Sequence, residues 1–248
     1  MMARYFLEVA YMGTHYSGFQ VQDHHRTIQS ELTRALEVLF RQPFSLTGSS
    51  RTDAGVHALQ NFFHVDTDVD IDHKHVYNLN AILLPDVAVK RIYRVADDAH
   101  CRFDAIARAY SYRIYRYKDP FLKDRGWLYP YPLDKDLLDE AAKALMDYQD
   151  FTSFSKRNTQ VKTFQCTIEQ SAWEMAENGL IYRVRANRFL RGMVRGLVGT
   201  MLKVGRGQIT MDDFRKIVTS RDCTQADFTT PPQGLFLEAV IYPERYFS

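Results

Sequence analysis

The sequence predicts an α+β protein of two similar units, each with helices packed on a mostly antiparallel sheet. Three observations lead there. Strand-like and helix-like segments alternate along all 248 residues. The alternation starts afresh near Arg102, with neither a long repeat nor a linker-like tract between the halves. The composition is that of a globular chain, 46% hydrophobic and 25% charged with 12 Gly and 8 Pro, and its length suits one large or two small domains. The expected division is 1–103 and 104–248.

In the first half, Tyr5–Tyr11 is apolar and aromatic apart from Glu8 and reads as a strand, followed by a loop punctuated by Gly13 and Gly18. Ile28, Leu32, Ala35, Leu36, Leu39 and Phe40 recur at helical spacing. Phe44 and Leu46 alternate as a short strand, Gly48–Gly55 is a loop, and Phe62–Val65 is a strand. Val76–Leu84 reads as a helix stopped by Pro85, and Val87–Val95 alternates again.

In the second half, Ala109–Tyr117 reads as a strand, and Leu137, Leu138, Ala141, Ala142 and Leu145 mark a helix. Phe164–Trp173 and Leu180–Ala186 read as strands joined by a turn at Asn178-Gly179. Leu190, Met193, Val194, Leu197, Val198, Met201 and Leu202 form the cleanest helical stripe of the chain. Asp212–Val218 is a short helix and Leu235–Tyr242 a last strand.

Several chemistries find no support. Cys101, Cys166 and Cys223 are odd in number and lie far apart, which suits a reducing cytosol rather than a disulfide framework or zinc ribbon. Arg4 and Glu8 interrupt the apolar start, which argues against a signal peptide. No run reaches the roughly 18 apolar residues of a membrane span, so a cytoplasmic protein is expected. Asp66, Asp68, Asp70 and Asp72 alternate, but Ile71 and Tyr77 stand where a calcium loop needs Gly and Glu, so an edge strand or loop with a solvated acidic face is expected. The pairs His24/His25 and His73/His75 lack a metal-ligand pattern and read as surface histidines. Gly205-x-Gly207 lacks the rest of a dinucleotide fingerprint. No metal and no cofactor is expected.

Two stretches suggest contact with an anionic polymer. Lys plus Arg is 32 against 30 for Asp plus Glu, so any such contact must be local. From Asn178 to Met211 there is no acidic residue, while Arg183, Arg185, Arg188, Arg191, Arg195, Lys203 and Arg206 fall inside. In a helix beginning near Arg188, Arg188, Arg191 and Arg195 would share one face, and Gly192, Gly196 and Gly199 would admit a close neighbour. That suggests phosphate contact, unless acids from elsewhere neutralise the ridge. Tyr110, Tyr112, Tyr115 and Tyr117 alternate with Arg108, Arg113, Arg116 and Lys118. Such a pattern suits base stacking, and equally a packed sheet face.

The loop from Gly48 to Ala58 places Arg51 and Asp53 two apart, on the same side of an extended chain. A guanidinium beside a carboxylate favours the charged form that a nucleophile requires. By itself, Arg-x-Asp in a loop is as well explained by a surface ion pair.

Taken together, these stretches resemble the TruA family of tRNA pseudouridine synthases. Arg51-Thr52-Asp53-Ala54-Gly55-Val56-His57-Ala58 is similar to its catalytic motif. Gly13–Gln20, Arg108–Tyr112, Phe189–Arg195 and Gly234–Leu237 follow in the family's order. Ser49-Ser50 stands where Ala-Gly is usual, and Gly192 where Asn or His is frequent. The resemblance implies the pseudouridine synthase fold, its two sheets forming a shared platform with a central active-site cleft. It implies isomerisation of uridine to pseudouridine in the anticodon stem-loop of tRNA, without cofactor, by a homodimer. Asp53 would be the nucleophile, acting at the uracil ring or at the ribose. Arg51 would help expose the base, Arg195 would be the ionic partner of Asp53, Tyr110 would stack on the base and Leu235 would line the pocket. Arg188 and Arg191 would hold the RNA backbone. An RNA-binding protein without catalysis, which need not keep Asp53, and a relative acting on another RNA are the alternatives.

Overall fold

A computed structural model describes residues 2–157 and 161–247. It divides into two compact units, Met1–Ile106 with Phe236–Ser248, and Ala107–Leu235. Each contains helices and a mostly antiparallel sheet, as the alternation of segments predicts.

In the first unit, β1 (Ala3–Tyr11), β2 (Leu46–Gly48), β3 (His57–Thr67) and β4 (Val87–Val95) are joined by α1 (Ile28–Phe40) and α2 (His75–Ile82). β1 runs antiparallel between β3 and β4, with Leu7 opposite Phe63 and Ile92, and β2 pairs antiparallel with β3. Helix α1 starts where Thr27 accepts from the Ser30 amide and Ser30 returns a bond to Thr27, a reciprocal cap. Its stripe of Ile28, Leu32, Ala35 and Leu36 is buried. Each large aliphatic side chain buried this way contributes roughly 1.5–3 kcal/mol. Glu8, the one charge in β1, is also buried. Gln60 and the Tyr93 hydroxyl each donate to its carboxylate at 3.1 Å, which offsets the desolvation.

The second unit comprises β5 (Ala107–Tyr115), β6 (Trp127–Leu128), α3 (Lys135–Ala144), β7 (Ile168–Ala176), β8 (Gly179–Ala186), α4 (Met193–Gly205) and α5 (Met211–Thr219). β8 lies antiparallel between β5 and β7, and β6 runs parallel to β5. Helix α3 is capped by Asp134 and α5 by a reciprocal Thr210–Asp213 pair. α3 packs on α4 and β7, and α5 on α4.

Four sequence expectations need correction. The last strand, β9 (Leu235–Ile241), does not stay with the second half, as a cut between 103 and 104 would have it. Phe236 and Leu237 pair in parallel with His57 and Ala58 of the first unit. β3 is longer than Phe62–Val65 because the end of the Arg51–Ala58 motif is already strand. The β7–β8 turn is Glu177–Asn178, with Gly179 paired to Ala176. Gly179 pairs with Tyr115 as well, and a Cβ there would lie 2.1 Å from the Ile114 carbonyl oxygen, so this strand position needs glycine.

The fourth correction concerns the arginine ridge. Helix α4 begins at Met193, not near Arg188, because Gly192 takes a left-handed φ of 76°. An L-residue with a Cβ is strained there, and Asn tolerates the region best after Gly. That accounts for Gly at position 192. Arg188 and Arg191 therefore precede the helix and do not share a helical face with Arg195.

Candidate active site

In the first unit, the loop that carries Arg51 and Asp53 is fixed from three sides. Phe19 donates its backbone N–H to the Thr52 carbonyl at 3.1 Å, and Val56 donates to the Asp53 carbonyl at 3.2 Å across the Ala54-Gly55 turn. Gly18, at φ 97°, lies so close that a Cβ would come within 3.2 Å of the Thr52 oxygen. Position 18 thus needs glycine for conformation and for space. The third side is a buried polar network. Asn61 donates its amide to the Ser50 carbonyl at 2.8 Å and to the Tyr11 hydroxyl oxygen at 3.1 Å. The Tyr11 and Thr52 hydroxyls share a bond of 2.8 Å. Asn61 is fully buried, and its own oxygen accepts from the Phe62 N–H.

Beyond the turn, His57 is fully buried, and its Nδ1 accepts from the Gly13 amide at 3.0 Å. Its ring packs on Phe236 of β9 at 4.6 Å. Asp53 itself is half-buried at the start of the turn, and Arg51 is exposed beside a cavity. The serines that depart from the family pattern are buried backbone posts. Ser49 N–H donates to the Phe62 carbonyl at 2.8 Å, and the Ser50 carbonyl receives Asn61.

In the second unit, two other expected site residues, Arg195 and Leu235, meet at one short segment, Thr230–Leu235. Arg195, in the first turn of α4, donates through Nε to the Thr230 carbonyl at 2.6 Å. The Thr230 hydroxyl returns a bond to the Arg195 carbonyl at 2.8 Å. Gly199 of α4 makes room for the chain entering this segment, since a Cβ there would meet the Asp227 carbonyl oxygen at 2.3 Å and the Thr230 hydroxyl at 2.7 Å. The close neighbour that the α4 glycines admit is therefore the chain's own segment. At its other end, Tyr112 donates its hydroxyl to the Pro231 carbonyl at 2.7 Å, and its ring lies against Gly234. Burial pushes the Tyr112 phenol well up from its usual range, so it remains a donor. Leu235, buried, follows directly.

The four tyrosines divide by role. Tyr112 and Tyr115 are core side chains, and Tyr117 lies past the end of β5 in solvent. Tyr110 is half-buried, with Phe189 edge-on at 4.9 Å. The acid-free stretch is likewise part-neutralised by neighbours. Arg183 pairs with Glu174 at 2.7 Å, Arg185 with Glu169 at 2.6 Å and Lys203 with Asp227 at 3.4 Å. Among the described residues, Arg188 and Arg191 form no ion pair.

The alternating aspartates do not form an edge strand: Asp66 lies in β3, which pairs with both β1 and β2, and the others lie in the loop after it. Asp66 receives Arg4 through two bonds of 2.7 Å, and Asp72 caps the turn before α2 through the Lys74 N–H. A different set of ligand-type atoms is brought together in the first unit. His64, His100 and Cys101 place one such atom each within 4.8 Å of the others. These atoms are already engaged. His64 Nδ1 accepts from the Cys101 N–H at 3.3 Å, and Cys101 Sγ donates to the Thr47 carbonyl at 3.2 Å. Burial, helped by the nearby Arg4 charge, pushes His64 down to about 4, so its ring is neutral at pH 7.

Sequence reading missed Asn61, Tyr11 and Thr230. None belongs to a recognisable spacing, because each acts through a partner at least 11 residues away.

The sequence matches the tRNA pseudouridine synthase family over residues 8–104 and 141–243. The chain belongs to that family. It is 42% identical to tRNA pseudouridine synthase A of Parabacteroides distasonis, over 99% of this chain and 98% of the relative. It is 43% identical to the protein of that name in Bacteroides thetaiotaomicron, over 100% and 93%. For the Staphylococcus aureus protein the identity is 36%, over 97% and 92%. In this tRNA pseudouridine synthase family member, no helix among the described residues is long and apolar enough to cross a membrane.

Proposed function

We propose that this protein isomerises uridine to pseudouridine in the anticodon stem-loop of tRNA, with Asp53 as the nucleophile. The observation that carries this reading is the fixed loop around Asp53: a carboxylate on a turn whose flanks are pinned by Gly18, Tyr11 and Asn61. A loop so held presents its carboxylate from a fixed backbone, which favours a defined geometry for the reaction.

The chemistry balances within the substrate. The bond from ribose C1′ to N1 breaks and a bond from C1′ to C5 forms. The proton on C5 leaves and N1 ends protonated, so no redox partner or second substrate is consumed. An ionised carboxylate supplies the covalent handle, whether it adds to the ring or to the ribose. Arg195 serves as the ionic partner of Asp53, and its clasp with Thr230 fixes the guanidinium through Nε. Tyr110 stacks on the extruded base, Leu235 lines its pocket and Arg51 helps to expose it. Extruding a base costs a few kcal/mol, which stacking on Tyr110 offsets in part. Arg188 and Arg191 contact RNA phosphates.

The same reading makes the protein a homodimer of the cytoplasm. Its three cysteines are odd in number and lie far apart in the sequence, as suits a reducing compartment. Light scattering on the purified protein reports the oligomeric state.

Tritium release from unmodified tRNA labelled at uracil C5 tests the activity. The wild type is expected to release tritium from anticodon-arm uridines, and Asp53→Asn to release none while binding tRNA with wild-type affinity. Turnover by a clean Asp53→Asn preparation would remove Asp53 from its role.

A further inference from the structure

A cavity of about 260 Å³ opens in the first unit beside the loop that carries Asp53. Its lining is mixed: Arg51, Arg102, Gln20 and His100 are polar, and Phe19 and Phe103 are aromatic. Phe103 is 73% exposed, a large apolar ring left in water. It is not a loose side chain. The His100 ring lies 4.3 Å from it, and the Arg102 guanidinium sits 5.6 Å from its centroid.

The turn that presents Phe103 is rigid. His100 Nδ1 accepts the Arg102 N–H at 3.1 Å, which leaves the ring proton of a neutral His100 on Nε2 as a donor. Asp104 accepts the His100 backbone N–H at 2.6 Å, and the Tyr246 hydroxyl donates to Asp104 at 2.7 Å. The result is a preorganised aromatic platform flanked by cations, beside a space that fits a nucleobase but not a folded peptide. Exposed rings with adjoining guanidinium groups are how proteins hold unstacked bases together with their phosphates. The cavity also adjoins the reacting loop, since Arg51 lines it and Asp53 is only two residues further on.

We propose that this cavity is a second nucleotide subsite, which holds an unpaired nucleotide of the RNA other than the target uridine, its base stacked on Phe103 and its phosphate met by Arg102. The inference rests on the reading of the protein as an anticodon-arm synthase. It adds a site distinct from the one that takes the reacting base. Such a subsite fixes which uridine reaches Asp53, because a strand anchored at one nucleotide has a defined position at its neighbours.

The test is a binding cycle with anticodon-arm hairpins in which one loop base at a time is replaced by an abasic site. The wild-type full chain is expected to lose affinity at one loop position by roughly 5- to 150-fold, the measured range for one stacked base. Phe103→Ala is expected to lose the same factor with the intact hairpin and under about twofold more when that base is absent. Phe103→Trp is expected to bind as the wild type does. If Phe103→Ala binds the intact hairpin as the wild type does, or if the two losses multiply at every position, the subsite is overturned. Binding is scored without turnover. A wild-type protein that binds the hairpin and leaves its uridines unconverted therefore overturns the proposed substrate, while the cycle still decides the subsite.

Discussion

The hydroxyls of Tyr11 and Thr52 meet at 2.8 Å out of solvent, one residue before Asp53 in sequence. Asn61 also donates to the Tyr11 oxygen, so three side chains meet there. The strand β1 thereby sets the position of a loop 41 residues away. Tyr11→Phe keeps the ring and removes the bond. Leaving Thr52 and one Asn61 N–H without a partner should cost about 1–3 kcal/mol of stability. A misplaced reacting group can lose roughly 100-fold in rate, so single-turnover conversion should fall by more than the stability loss accounts for, with RNA affinity kept. Urea unfolding and single-turnover kinetics on the same preparation separate the two. A less stable Tyr11→Phe protein with the wild-type rate would reduce the network to a purely structural role.

Tyr110 differs from its strand neighbour Tyr112 in being half-buried beside Phe189 rather than sealed under the 231–234 segment. Tyr110→Phe keeps the stacking face and removes the hydroxyl, whereas Tyr110→Leu removes both. If stacking captures the base, Leu should weaken capture by roughly 1–3 kcal/mol more than Phe. Equal losses in the two variants would place the weight on the hydroxyl and its proton chemistry. Wild-type turnover in both would take Tyr110 out of the site.

The elements legible in the sequence were those whose cause is local. α1 follows its expectation because the Thr27 cap and the Ile28–Phe40 stripe are both contained in the helix itself. β4 follows because alternation over Val87–Val95 needs no partner to be visible. The start of α4 was misplaced because the apolar stripe runs through Leu190, while the left-handed Gly192 that decides the boundary looks like any small residue. Charge was harder still. The 178–211 stretch is acid-free along the chain, yet Glu169 and Glu174 reach Arg185 and Arg183 from β7, a relationship created only by the pairing of β7 with β8. Of the candidate site, the loop with Arg51 and Asp53 was visible as a motif. Its supports Tyr11, Asn61 and Gly18 come from other elements and become legible only in three dimensions.

His64 makes stability depend on pH in a definite direction. Burial lowers its folded-state value to about 4 from an ordinary 6.5. Between these values the unfolded chain binds the proton that the folded chain refuses, so stability rises with pH across that window. The contribution is fully present above about pH 6.5 and is lost as pH falls toward 4, with an upper bound of roughly 3 kcal/mol. His64→Phe retains the stacking on Phe6 and cannot titrate. Urea unfolding midpoints at pH 4.5 and 7 should differ less in this variant than in the wild type. The same pH dependence in both would locate the acid sensitivity in other groups.

The ion pairs on β8 sharpen what salt dependence should reveal about RNA binding. Each phosphate contact removed flattens the log–log salt slope by roughly 0.7–0.9. Arg188 and Arg191 stand before α4 without an ion pair among the described residues. Arg188→Ala and Arg191→Ala should each lower affinity for tRNA and flatten the slope by about that amount. Arg183 is already matched by Glu174 at 2.7 Å, so Arg183→Ala should change the slope much less. Arg195→Ala should behave differently from all three. Its guanidinium is held by the Thr230 carbonyl, and its proposed partner is a carboxylate, not a phosphate. It should therefore lower the single-turnover rate at saturating enzyme and leave the salt slope near that of the wild type. A variant Arg195→Ala that lost only affinity, with a flattened slope and an unchanged rate, would move Arg195 to the phosphate contacts and leave Asp53 to find its ionic partner elsewhere.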